Sequence, residues 1–260
     1  MDIIQPLLAA DEPPPVSVRN ADALSPLLLV ADHAGRAVPR ALQRLGVAAP
    51  DWDRHIAWDI GIAGVSRMLA DTLEATLIQQ NYSRLVIDCN RPPGAPTSIP
   101  EISELTPIPG NVDLSDADRE ARARTIFWPY HERIDSELER RRQAGRATAL
   151  IAMHSFTPVF KGEARSWHIA LLYNRHPQLA HQLIALFRRE HDLVVGDNQP
   201  YFVSDATDYT IPAHGEQRGL PHALIEIRQD LIADEDGQRQ WAARLARLLP
   251  QAYADGVELS

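Results

Sequence analysis

The sequence predicts a three-layer α/β fold. Two observations point to it. Short apolar runs of strand length alternate with stretches of helical periodicity. Several of those runs end in polar residues, His33, Asn90-Arg91, His154 and Glu226, as strands do when their carboxyl ends face a ligand crevice. Length agrees: 260 residues, 45% hydrophobic and 23% charged, suffice for a sizeable core and show no disorder signature.

In chain order, residues 1–22 hold Asp11-Glu12-Pro13-Pro14-Pro15 and little periodicity, and read as an extended N-terminal arm. Residues 23–260 read as one domain, since no repeat and no linker-like shift in composition divides them. Leu27–Ala31 is a buried strand stopped by Asp32-His33-Ala34-Gly35. A helix is expected over 57–74 from Ile60, Val65, Leu69 and Leu73, then strands at 75–78 and 85–87. The Pro- and Gly-rich stretch 90–113 is a long loop, a length usually tied to function. One helix is expected over 115–143. Ser115 is its cap, Asp116 and Asp118 lie in its first turn, and Arg140-Arg141-Arg142 forms a solvated end. Strands follow at 148–153 and 167–173, a helix at 177–190, strands at 193–195 and 222–227, and an amphipathic helix at 229–249.

Composition excludes several classes. Lys and Arg number 26 against 35 Asp and Glu, a net charge of −9, which argues against a nucleic-acid partner. No apolar run approaches the ~20 residues of a membrane helix, so no membrane partner is expected. The single cysteine, Cys89, rules out an intrachain disulfide and Cys-based zinc sites. It suits a reducing compartment, and the start Met1-Asp2-Ile3-Ile4 lacks a signal-peptide pattern, so a cytoplasmic location is expected. There is no dinucleotide fingerprint, phosphate loop or nucleophile elbow. No coiled-coil heptads mark an oligomer interface.

His33 and His154 each follow an apolar run, a context that suits two ligands of a zinc site or two hydrogen-bonded loop residues. Asp59 lies four residues after His55, on the same face if the segment is helical, and reads either as a carboxylate ligand or as an ion-pair partner of His55. Glu226 sits within Ala223-Leu224-Ile225-Glu226-Ile227-Arg228. A carboxylate there is costly to bury unless paired, which suits a general base or a partner for Arg228. Arg84, Arg91, Arg165 and Arg228 are candidate anion clamps, each of which also reads as a surface charge. His214 either assists a transition state or occupies a loop.

Six stretches in order resemble the N-formylglutamate amidohydrolase family. They are Ala31-Asp32-His33-Ala34-Gly35-Arg36, His55-Ile56-Ala57-Trp58-Asp59-Ile60-Gly61, Ser83-Arg84-Leu85-Val86-Ile87-Asp88-Cys89-Asn90-Arg91-Pro92, Met153-His154-Ser155-Phe156-Thr157-Pro158, Gly196-Asp197-Asn198-Gln199-Pro200-Tyr201 and Ile225-Glu226-Ile227-Arg228-Gln229-Asp230-Leu231. The resemblance implies a zinc-carboxypeptidase-like (phosphorylase/hydrolase-like) fold: three α/β/α layers around a mixed, largely parallel sheet. It implies a catalytic domain over 23–260 that hydrolyses the N-acyl amide of a small amino acid, N-formylglutamate being the type substrate. His33 and His154 match metal ligands, with zinc as the implied metal. Asn90 and Arg91 match substrate-carboxylate ligands, and Glu226 matches a base. Arg165, Arg228 and Tyr201 join the expected substrate-binding set, with Arg84 or His214 as second donor to the oxyanion. The carboxypeptidase pattern places a Glu ligand three residues after the first His. Here that position is Arg36, so Asp59 is expected as the third ligand. Two other outcomes fit the same residues: a metal-free binding protein, or a hydrolase of larger peptide or cell-wall fragments.

Overall fold

The computed structural model describes residues 6–257. In chain order the elements are β1 (Val16–Arg19), β2 (Leu27–Ala31), α1 (Ile62–Thr72), β3 (Thr76–Gln80), the hairpin β4 (Ile102–Ser103) and β5 (Thr106–Pro107), α2 (Asp116–Arg122) and α3 (Trp128–Gln143). Then follow β6 (Ala149–Phe156), the hairpin β7 (Val159–Phe160) and β8 (Glu163–Ala164), β9 (Ile169–Leu172), α4 (Gln178–Phe187), β10 (Val195–Asp197), β11 (His222–Arg228) and α5 (Glu235–Val257).

Seven strands form one mixed sheet in the order β1-β3-β2-β6-β11-β9-β10. Its centre, β3-β2-β6-β11, is parallel, so these strands send their carboxyl ends to one edge. β1 and β9 run antiparallel to their neighbours β3 and β11, while β10 is parallel to β9. Residues alternate between faces as the strand period requires. Leu27, Leu29 and Ala31 pack with α1, α4 and α5, whereas Leu28 and Val30 pack with the α3 side through Phe127, Tyr130 and Ile134. The expected three-layer α/β/α class is therefore the observed one.

Local departures have local causes. Residues 16–19 of the expected extended N-terminal arm form β1 against β3. Leu85, Val86 and Ile87 are buried but lie in a turn and the irregular segment after it, not a strand, because the chain folds back there to bring Arg84 onto Asp88. The expected helix over 115–143 is continuous but changes winding. Ser115 caps it in a reciprocal capping box with Asp118, and 123–127 is π-wound just before Pro129, whose ring has no N–H for the regular ladder. Arg141 is not part of a solvated end. It is fully buried, 2.8 Å from Glu137, and also donates to Ser25 O and Thr76 Oγ1, fixing α3 to the sheet.

Candidate metal centre

β2 pairs with β3 on one side and β6 on the other, so the sheet reverses its winding between β2 and β6. A crevice opens at such a switch point, at the strands' carboxyl ends. His33 leaves the end of β2, and His154 lies near the end of β6. The bend after His33 depends on Gly35: a Cβ there would fall 2.1 Å from the Asn81 backbone.

Asp59 arrives from a turn rather than a helix. Residues 54–60 form successive turns and α1 begins only at Ile62, so His55 and Asp59 do not share a helical face. The turn is fixed by the Asp59 N–H donating to His33 O at 2.9 Å and by Ser83 Oγ donating to Ala57 O at 2.6 Å. Gly61 closes it at φ +80°, where a Cβ would meet Ile232 O at 2.1 Å. These constraints bring His33, Asp59 and His154 together, with their ligand atoms all within 4.8 Å of one another. The two imidazole rings meet edge-to-face at 4.9 Å.

The proton inventory shows that this donor set suits a cation. Carboxylates only accept, so the 2.7 Å contact of His33 Nε2 with Asp88 Oδ1 puts the ring proton on Nε2. That leaves Nδ1 buried without a hydrogen-bond partner, 3.6 Å from Asp59 Oδ2. His154 lies between two carboxylates, with Nε2 2.9 Å from Asp32 and Nδ1 3.0 Å from Asp59. Burial disfavours its charged form, but hydrogen bonds to Asp32 and Asp59 outweigh it and hold the imidazole well above its usual pKa. Burial and Arg84 likewise oppose a charged His33, and the Asp88 and Asp59 carboxylates overcome them. Burial would lift Asp59, yet His33 and His154 pull it below the ordinary carboxylate range. A cation among His33 Nδ1, Asp59 Oδ2 and His154 Nδ1 would take the place of these protons. Asp88 and Asp32 would then orient the imidazoles through their remaining N–H groups.

Glu226 stands beside this cluster, in register opposite His154 on β11. Its Oε2 is buried with no hydrogen-bond partner. Burial lifts its carboxyl to about 7, with Asp59 adding to the rise and His154, His33 and Arg84 offsetting it. Glu226 does not pair with Arg228, which binds Asp230 and the backbone carbonyls of Arg165 and Ser166. Arg84 donates to Asp88 at 2.7 Å and lies 3.5 Å from Asp59.

These groups line a cavity of about 510 Å³ that also includes Arg91 and Tyr201. Arg91 bonds the carbonyl oxygens of Asn90 and Thr207 and lies 3.8 Å from Asp208. The Asn90 amide is committed to the loop facing it: Nδ2 donates to Asp208, and Oδ1 accepts from the N–H groups of Tyr209 and Thr210. These bonds position that loop, and Asn90 also lines the cavity. Arg165, Arg228 and His214 lie outside the cavity lining. His214 is engaged elsewhere, between Asp135 at 3.0 Å and His131 at 2.8 Å, and His131 continues to Cys89 O. Burial, with the neighbouring His214 adding to it, pushes His131 down to about 3, so His131 is neutral.

Sequence reasoning gave no role to Asp32 and Asp88, which hold the two imidazoles, or to Glu104, which joins the cavity wall near His55. The available signal was position: Asp32 adjoins His33, and Asp88 immediately precedes Cys89-Asn90-Arg91.

The model of the N-formylglutamate amidohydrolase family (FGase) matches residues 25–233. No curated protein matches the chain. Among solved structures, the gene product Atu2144 from Agrobacterium tumefaciens shares 38% identity over 96% of this chain and 98% of its own, with a TM-score of 0.93. An N-formylglutamate amidohydrolase from Ralstonia eutropha JMP134 shares 20% identity over 92% of this chain and 98% of its own, with a TM-score of 0.68, which is a likeness of fold. The family match runs through His33, Asp59, His154 and Glu226 and covers most of the chain, which therefore belongs to the N-formylglutamate amidohydrolase family.

Proposed function

We propose that the chain is a zinc-dependent amidohydrolase that removes an N-acyl, formyl-like group from a small amino acid such as glutamate. The observation that carries this reading is the convergence of His33, Asp59 and His154 beside the unpartnered carboxylate of Glu226. The first three would hold Zn²⁺. When bound, the ion supplies Lewis acidity that polarises the acyl carbonyl and makes water a nucleophile near neutral pH.

Glu226 Oε2, buried without a hydrogen-bond partner, takes the proton of the attacking water and returns it to the leaving amine. Arg84, held by Asp88 within the cavity wall, places positive charge where the carbonyl oxygen turns anionic. Arg91 binds the substrate carboxylate, and Asn90 holds the segment beside it in place. In a protein of net charge −9, these guanidiniums supply the local positive field that an anionic substrate needs. Tyr201 completes the wall at the same cavity. The domain of 23–260 is the catalytic unit in this reading. Cys89, buried and free, fits a cytoplasmic setting, and no helix among the described residues is long and apolar enough to cross a membrane.

Glu226→Gln tests the assignment. The variant should keep its metal and lose roughly 10²–10⁴-fold in turnover of an N-formyl amino acid, read by release of the free amine. Full activity with metal retained would remove Glu226 as the base.

A further inference from the structure

We propose that the mouth of the cavity is a subsite for a large apolar group on the substrate, on its acyl or its amino-acid side. This inference rests on the amidohydrolase reading above and extends its substrate class to N-acyl amino acids with an apolar or aromatic substituent. Three separate segments supply the subsite. The β4–β5 hairpin contributes Ile102, the β7–β8 hairpin Phe160, and the loop after β10 Tyr201 and Phe202, all lining the cavity. Ile102 is 64% exposed and Phe202 66%, exposures that leave most of each apolar surface in water. Scattered exposed hydrophobics need no explanation, but a cluster rimming a pocket marks a place where apolar surface is meant to be covered.

The subsite is also held in shape. The Arg165 guanidinium sits 4.7 Å from both the Phe160 and Tyr201 rings and donates to Tyr201 Oη at 2.7 Å. It thereby ties the β7–β8 hairpin to the loop after β10 before any ligand arrives. Arg165 is a positioning residue here, not a ligand for the substrate carboxylate. Size agrees, since a cavity of about 510 Å³ lies in the range that encloses drug-sized ligands, well above an N-formyl amino acid. The polar groups of the cavity already account for the amide and the carboxylate. Beyond those groups the lining carries the apolar side chains Ile102, Phe160 and Phe202, beside the polar Ser103 and Glu104.

The test compares zinc-loaded wild type on N-formylglycine, N-formylphenylalanine and N-octanoylglycine. Binding of the same compounds to the Glu226→Gln variant is measured by calorimetry. Burying a phenyl- or octyl-sized group should raise kcat/KM, and tighten binding, roughly ten- to hundredfold over N-formylglycine. A gain with N-formylphenylalanine alone assigns the subsite to the amino-acid side, and a gain with N-octanoylglycine alone assigns it to the acyl side. Phe202→Ala and Ile102→Ala should each shrink that ratio about three- to tenfold. Hydrolysis without apolar preference would overturn the subsite and leave the amidohydrolase reading standing. Preferential binding of the apolar compounds with no hydrolysis of any of them would overturn that reading and leave the subsite standing.

Discussion

Glu226 keeps one carboxylate oxygen buried and unpartnered next to Asp59, an arrangement that costs a resting fold. The cost has a sign in pH. Burial raises the folded-state carboxyl to about 7 from its ordinary 4.5, so between those values the folded chain binds more protons than the unfolded one. Stability therefore falls as pH rises through that window. Glu226→Gln removes the penalty. Stripped of metal, the variant should melt several degrees above the parent at pH 8, with the gap closing toward pH 4. A lower melting temperature for the variant at pH 8 would contradict the burial account. Asp88→Asn probes the other side of the centre. The neutral amide oxygen accepts the His33 Nε2 proton more weakly than the carboxylate does, so metal affinity should drop about 10–100-fold in a competition titration with a chelating dye. At this scale the sequence showed His33, His154 and Glu226, because a polar side chain ending an apolar strand is a local signal. It could not show that Asp88 would meet His33 across 55 positions, or that Asn90 would bind a loop far along the chain.

The elements that carry the site are mostly turns, and turns are where the sequence was hardest to read. Asp59 was expected on a helical face with His55, yet it sits on a turn closed by Gly61 at positive φ. Gly61→Ala tests that turn. A side chain there is strained by φ and collides with Ile232 O, so the variant should lose at least about 1 kcal/mol of stability. It should also bind metal more weakly, because Asp59 shifts with the turn. Unchanged metal affinity in the folded variant would separate Asp59 from the centre. The run Leu85-Val86-Ile87 shows a second limit: three buried apolar residues look the same in a strand and in a buried turn. Arg141 shows a third. Its place in a run of three arginines suggested solvent, while helical spacing turned it inward to Glu137. The capping box at Ser115 was readable because its partner, Asp118, lies three residues on.

Across the molecule, alternating strands and helices were enough to give the α/β class, since each sheet face needs a helical layer to cover its apolar residues. The antiparallel placement of β1 and β9 was not readable, because strand direction depends on pairings between distant segments. What the fold achieves is the convergence of four parallel strand ends and two turns on one crevice, with His33, Asp59 and His154 as its centre. Metal content of the purified protein tests that claim most directly, measured by elemental analysis on wild type and on the His33→Ala and His154→Ala variants. The account predicts about one zinc per chain in the wild type and its loss in both variants, with a chelator lowering the wild-type melting temperature as linkage requires. A folded wild type that takes up no metal after incubation with zinc, or variants that keep the full complement, would contradict it.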